Sequence, residues 1–179
     1  MASFEIAYNW MKAQEDAADL HATVPDRCPE GCTLDHCFAI SGVNSGAWPD
    51  EYAAIAVQPQ DQRGPLVEAF YQAHFWNQWY AQLTSDEVAK RVFDFAVNAG
   101  STASVRCLQE ACNSLVLPSM AIATDGEWGP VTIKQTTLCF ERDLVSAFQQ
   151  RRVAHYDALI DANPKLAIYK DAWTARALK

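Results

Sequence analysis

The sequence predicts an all-α, or mostly α, fold around one central buried helix, with at most a short β element between residues 20 and 46. Three observations predict it. Apolar residues recur at helical spacing in segment after segment. Those segments carry helix punctuation: Ser85 and Ser101 as caps, Pro49, Pro65 and Pro130 in first turns, Gly100 as a stop. The third is the stretch SDEVAKRVFDFAVNAG, residues 85–100. Val88, Val92, Phe93, Phe95, Ala96 and Val97 cover most of its circumference, which calls for burial on several sides. A single polar stripe remains, Glu87, Arg91, Asp94 and Asn98, at steps of four, three and four. Inside a buried helix, such groups must be satisfied by neighbouring helices or must line a cleft.

Taken in order, helix one runs from about Phe4 to about Ala18. Phe4, Ala7, Tyr8, Met11 and Glu15 share one face, so an apolar stripe ends in a carboxylate. Held against Tyr8 and Met11, Glu15 would be partly desolvated and would keep a proton near neutral pH; at a frayed helix end it would sit in water. Residues 20–46 read as loop, with two prolines, three glycines and three cysteines, and only Phe38-Ala39-Ile40 suits a strand. A loop of that length is usually functional or cross-linked.

Trp48 to Val57 reads as a short helix, and 58–64 as a polar connector. A strong helix starts at Pro65, with Leu66, Phe70, Phe75, Trp76 and Trp79 as packing residues. Its aromatics exceed what one core face needs, so Tyr71, Trp76 or Tyr80 would either join the core or stack on sugar faces. After the central helix, Ser101 caps a helix whose Val105, Leu108 and Cys112 form one face. Asp125-Gly126 makes a turn, and Gly129-Pro130 opens a new helix. Glu141 to Asp161 is a long amphipathic helix with Leu144, Phe148, His155, Tyr156 and Leu159 inward. Asn163-Pro164 breaks it, and a last helix carries Tyr169 and Trp173.

A net charge of −8 argues against general nucleic-acid binding and against adhesion to an anionic membrane. No apolar run is long enough to span a bilayer, and the first residues do not form a signal peptide. Six cysteines suit an oxidising destination with two or three disulfides. Cys28, Cys32 and Cys37 with His36 have the ligand types for zinc but not a paired spacing, and no metal or cofactor is expected.

Several segments together resemble one family. They are Ala13-Gln14-Glu15, Phe38 to Ser41, Phe75-Trp76, Phe93 to Gly100 with Leu108-Gln109, Asp125 to Thr132, Arg152 with Tyr156, and Trp173 with Arg176. In this order they resemble glycoside hydrolase family 108, lysozyme-like muramidases that cut peptidoglycan. The resemblance implies a lysozyme-like catalytic region over residues 1–118. It also implies a helical region over 119–179 like the family's peptidoglycan-binding segment, the two packed as one unit.

The family's catalytic acid is the Glu of an E-G-G motif ending helix one, which falls on Glu15. Here Asp16 and Ala17 replace the glycines. Glu30-Gly31-Cys32 offers another register but strands helix one. Breaking a glycosidic bond needs an acid on the leaving oxygen and a nucleophile or an activated water. The second role is open among Asp26, Asp35 and His36. Asn98 would bind an acetamido group or water, and Asp94 would orient a neighbour or bond between helices. Tyr8, Tyr71 and Trp76 complete the expected substrate contacts.

Two functions follow. One is a muramidase acting on peptidoglycan strands in the periplasm or at the cell wall, after phage-mediated or secretion-system delivery. The other is a catalytically impaired lysozyme-like protein that binds glycan or a protein partner, as the lost glycines suggest. An inhibitor or immunity protein is a third, weaker association, resting on charge.

Overall fold

Ser85 does what its position in the sequence foretells. Its backbone is extended, and its hydroxyl accepts the Val88 N–H at 3.1 Å, which starts a helix running to Ala99. Gly100 ends it at φ 89°, a conformation that suits glycine, and starts the next helix within one residue. The protein was analysed as a computed structural model, which describes residues 1–14, 20, 22–23 and 38–179. Among these, eight α-helices account for most of the chain: α1 Phe4–Gln14, α2 Pro49–Ala56, α3 Arg63–Phe75, α4 Asp86–Ala99, α5 Ser101–Asn113, α6 Pro130–Thr136, α7 Glu141–Ala162 and α8 Lys170–Ala177. The mostly α expectation is borne out.

The β element is small. Strands β1 Ala22–Thr23, β2 Ala39–Ile40 and β3 Val43–Asn44 form an antiparallel sheet in that order. Ala22 pairs with Ile40, and Ile40 with Val43. Ser41 and Gly42 make the two-residue turn of the β2–β3 hairpin at φ 47° and 83°.

The chain divides into two compact units. The first comprises residues 1–7 and 77–179, and α4 is its core. Val92, Phe93 and Phe95 are fully enclosed. Phe93 meets Phe4 and Tyr80 edge to face, and Phe95 meets Phe148 and Tyr156 in the same manner, so α4 is buried on more than one side. Ser104 donates to the Val92 carbonyl at 2.6 Å and fastens α5 to α4. Asn77 to Lys179 all fall in this unit.

The second unit is Tyr8–Trp76. Ile40, Val43, Ile55, Val67, Phe70 and Tyr71 form its core with Tyr8 and Met11. Arg63 ties it together by donating to the carbonyls of Leu20, Ala56 and Gln58.

Two elements differ from expectation. The aromatic helix begins at Arg63, two residues early, and Val67 rather than Leu66 faces inward. It also stops at Phe75. Trp76 is extended, and the Asn77 carboxamide accepts the Trp79 N–H at 2.9 Å, which turns the chain into a 3₁₀ segment at Tyr80–Gln82. The last helix is likewise split into a 3₁₀ stretch, Pro164–Tyr169, and α8.

At Gly42 a Cβ would stand 2.5 Å from the Tyr71 hydroxyl, whereas at Gly64, inside α3, the nearest atom is at 3.8 Å. Gly42→Ala is therefore expected to lower stability by about 1–3 kcal/mol. Gly64→Ala should raise it by about 0.5 kcal/mol. Paired urea titrations check both signs.

Candidate functional site

Four of the residues expected to carry chemistry, Glu15, Asp26, Asp35 and His36, lie outside the described residues. So do Cys28, Cys32 and Cys37. The others are placed, and they fall into distinct local arrangements.

In the first unit the polar stripe of α4 meets the C-terminal helices. Asp94 is fully enclosed. Its Oδ2 accepts from Arg152 Nη2 and its Oδ1 from Arg176 Nη2, each at 2.7 Å. Arg152, itself fully buried, also lies over the Phe95 ring with Cζ 5.2 Å from the centroid. The carboxylate is a bond between helices and presents no oxygen to solvent, which is the second of the two roles the sequence left open for Asp94. Asn98, one turn on, is exposed, and its Oδ1 accepts from the Tyr156 hydroxyl at 2.6 Å. Trp173 stacks on Tyr156 at 4.9 Å, and Tyr169 stacks on Trp173 at 5.5 Å. Burial pushes the Tyr156 hydroxyl up, against the opposing pull of Arg152 and Arg176. Arg152 and Tyr156 of α7 and Arg176 of α8, distant in sequence from α4, thus meet two residues of FDFAVNAG, and Trp173 joins them through Tyr156.

A second convergence explains LQ and DGEWGPVT. Gln109 is buried on α5. Its Nε2 donates to Asp125 Oδ1 at 2.8 Å, to the Glu127 carbonyl at 3.1 Å and to Thr132 Oγ1 at 3.1 Å, while its Oε1 accepts the Gly126 N–H at 2.9 Å. Gly126 has φ 78°, and a Cβ there would meet the Thr102 carbonyl at 2.7 Å. The motif is a turn moulded around one carboxamide. The Asp125 carboxyl is held below its ordinary range, first by the Glu127 N–H and then by Gln109.

In the second unit Tyr71 is buried and its hydroxyl donates to the Ser41 carbonyl at 2.8 Å, bracing the β2–β3 turn. The Tyr8 and Tyr71 rings lie 5.8 Å apart. Burial, with Glu68 adding to it, pushes the Tyr8 hydroxyl up to about 12, so it stays a neutral donor. Both tyrosines belong to the core of this unit, while Trp76 is half-exposed at the end of α3. Sequence reasoning passed over a neighbouring cluster in which His74 pairs with Glu51 at 3.1 Å and lies 4.4 Å from the Trp48 ring. Only the spacing of Trp48 and Glu51 at the start of α2 hinted at it.

The three described cysteines, Cys107, Cys112 and Cys139, are free thiols, so the expected disulfides are not seen among the described residues. Cys107 and Cys112, five apart on α5, point to different sides of the helix and do not pair. No group of metal-ligating side chains is found among the described residues.

The glycosyl hydrolase 108 family model matches residues 40–100. Over that stretch the resemblance to glycoside hydrolase family 108 is borne out. The matched stretch runs from the hairpin turn through α4 and takes in FDFAVNAG. A solved structure of Brucella abortus SagA is similar at a TM-score of 0.64 and 16% identity, covering 97% of this chain and 88% of that one. At that identity the likeness speaks for the fold. No curated protein matches the chain. Arg152, Tyr156, Trp173, Arg176 and the Gln109-bound turn lie beyond the matched residues.

Asp94→Asn would leave Arg152 and Arg176 without their counter-charge, and stability should fall by about 3 kcal/mol or more. Removing the Gln109 hub as Gln109→Ala should cost about 2–3 kcal/mol through the unsatisfied groups left behind. Chemical denaturation with far-UV circular dichroism measures both. For Asp125 the lowered folded pKa means its contribution is present above the unfolded pKa and is lost as pH falls through the folded one. Asp125→Asn should therefore flatten the acid limb of the stability–pH curve, and an unchanged limb would count against this account.

Proposed function

We propose that the protein is a peptidoglycan hydrolase of the lysozyme type, cleaving the glycan backbone with Glu15 as general acid. The reading rests on the family-108 match, with support from α1. Tyr8 and Met11 are both buried on the helix face that leads toward Glu15, and α1 runs to Gln14, the residue before it. A carboxyl continuing that apolar face would be partly desolvated and would retain its proton near neutral pH, as the acid role requires.

The partner role, nucleophile or base for a water, falls to Asp26, Asp35 or His36. Asn98 is the proposed polar contact to an acetamido group, since it is exposed and its Oδ1 is fixed by Tyr156. Trp76 is the proposed stacking surface. Tyr8 and Tyr71 would act by supporting these elements. Such an enzyme would meet its substrate in the periplasm or at the cell wall, reached through a phage lysis system or a secretion apparatus. A basic inhibitor or immunity protein is a further proposed partner, suggested by the charge of −8.

The replacement of the E-G-G glycines by Asp16 and Ala17 favours a second reading, a lysozyme-like protein that binds glycan or a protein partner without cutting. One experiment separates the two. Purified wild type and Glu15→Gln are incubated with isolated peptidoglycan, and released fragments are identified by mass. The muramidase reading expects disaccharide-peptide fragments from the wild type and a loss of at least about 100-fold in the variant, at unchanged helical content. Equal activity would remove Glu15 from the acid role. An inert wild type that still sediments with peptidoglycan would establish the second reading.

A further inference from the structure

We infer that the seam between α5 and α7 holds a binding site for a small zwitterion, a molecule with both a carboxylate and an ammonium group, as a free amino acid or a short peptide has. Two helix faces line a cavity there of about 240 Å³. From α5 come Ala103, Arg106, Cys107 and Glu110. From α7 come Arg151, Ala154, His155 and Ala158. Each set is spaced by three, one and three, which is a single helix face. Packed helices ordinarily fill such a seam with interlocking side chains. Here three of the eight positions are alanine, and charged groups wall the space that is left. Its size lies just below the range of about 300–1,000 Å³ that suits drug-sized ligands, so it fits a smaller one.

Those charges are not spent on one another. Among the described residues, the Arg151 guanidinium and the Glu110 carboxylate make neither a hydrogen bond nor an ion pair. Arg106 makes a single bond, from Nε to the Thr124 carbonyl at 3.3 Å. Asp94 and Glu87, by contrast, hold two cations each. The chain has 22 acidic against 14 basic side chains. With acid in such excess, two guanidinium groups left without an acidic partner beside one cavity are available to an anion from outside. Arg151 and Glu110 are both half-buried, so each gains by meeting an opposite charge. The Arg151 backbone is already held, its carbonyl accepting from the Cys107 thiol at 3.8 Å.

Each wall answers to one part of the ligand. The guanidinium fork of Arg151, with the terminal nitrogens of Arg106, matches a carboxylate. Glu110, one turn from Arg106, matches an ammonium group. Ala103, Ala154 and Ala158 leave an apolar surface for a small aliphatic side chain. His155 borders the site as a neutral group, since burial, opposed by Glu110, holds its imidazole below the ordinary range. Its ring is packed 5.3 Å from that of Phe95. Burial pushes the Cys107 thiol up to about 12, so it adds no charge. Two guanidinium groups against one carboxylate leave the cavity positive, which admits the carboxylate of a zwitterion and disfavours a plain amine.

The full-length protein, labelled with ¹⁵N, is titrated by NMR near neutral pH and at constant ionic strength. The probes are alanine, alanyl-alanine, the C-terminal amide of that dipeptide and its N-acetyl form. Saturable shifts confined to residues 103–110 and 151–158 are the expected result. Arg151→Gln should weaken alanyl-alanine about tenfold or more and leave the amide as it is. Glu110→Gln should weaken alanyl-alanine and not its N-acetyl form. Unchanged spectra away from the cavity show that both variants fold. Tighter binding of alanine than of the dipeptide would assign the site to free amino acids, and the reverse order to peptides. The inference is overturned by an absence of saturable shifts with all four probes, or by an Arg151→Gln effect equal for dipeptide and amide. Equal shifts at Arg142, an exposed arginine outside the cavity, would overturn it too, as a general charge effect. None of these outcomes depends on whether the protein cuts peptidoglycan.

Discussion

The buried Asp94 carboxylate sets a constraint that much of the first unit obeys. A lone anion at full burial would be heavily penalised, so the chain must deliver cations to it, and it delivers two from helices far away in sequence. Arg152 comes from the middle of α7 and Arg176 from α8. Once they are seated, Asn98 meets Tyr156, Tyr156 meets Trp173, and the end of the chain has a defined place. Breaking up such a group costs more than forming it gains, because every survivor is left desolvated. Its value lies in specifying one arrangement of α4, α7 and α8 over others that would bury similar apolar area.

The same logic, with a neutral group at the centre, governs the DGEWGPVT turn. A carboxamide has two donors and one good acceptor oxygen, and Gln109 spends all of them on one loop. Each of the motif's polar positions answers to that side chain. Asp125 receives a donor, Gly126 supplies an N–H and a backbone that must come close to Thr102, and Thr132 offers its hydroxyl. These positions therefore report on architecture in this chain, and their spacing is explained without invoking a ligand.

The sequence disclosed the helices well where caps and periodicity agreed. Ser85, Gly100 and Pro49 put the limits of α4 and α2 within a residue of their observed places. The stripe of Asp94 and Asn98 was visible as a line of polar groups on a buried helix, but its destination was not. Whether such a line faces a cleft or other helices depends on residues some sixty to eighty positions away, and helical period carries no information about them. The aromatic run from Phe70 to Tyr80 was ambiguous for a related reason. Asn77 ends α3 through a local side-chain bond, which apolar periodicity cannot register. In the hairpin, by contrast, Ser41-Gly42 is a turn signal of the ordinary kind, yet its fit to the Tyr71 hydroxyl required the fold to be known.

These distinctions bear on where chemistry can reside. Motif residues that identify a family need not touch its substrate; FDFAVNAG, through Asp94, fixes α4 against α7 and α8. A residue that performs acid catalysis needs access to the scissile bond, which the fully enclosed Asp94 lacks. Glu15, the proposed acid, directly follows α1 in sequence, and Tyr8 and Met11 of that helix are buried. Burial thus gives α4 the work of a scaffold, and the proposed acid is sought some eighty positions earlier, where a carboxyl is not committed to two arginines.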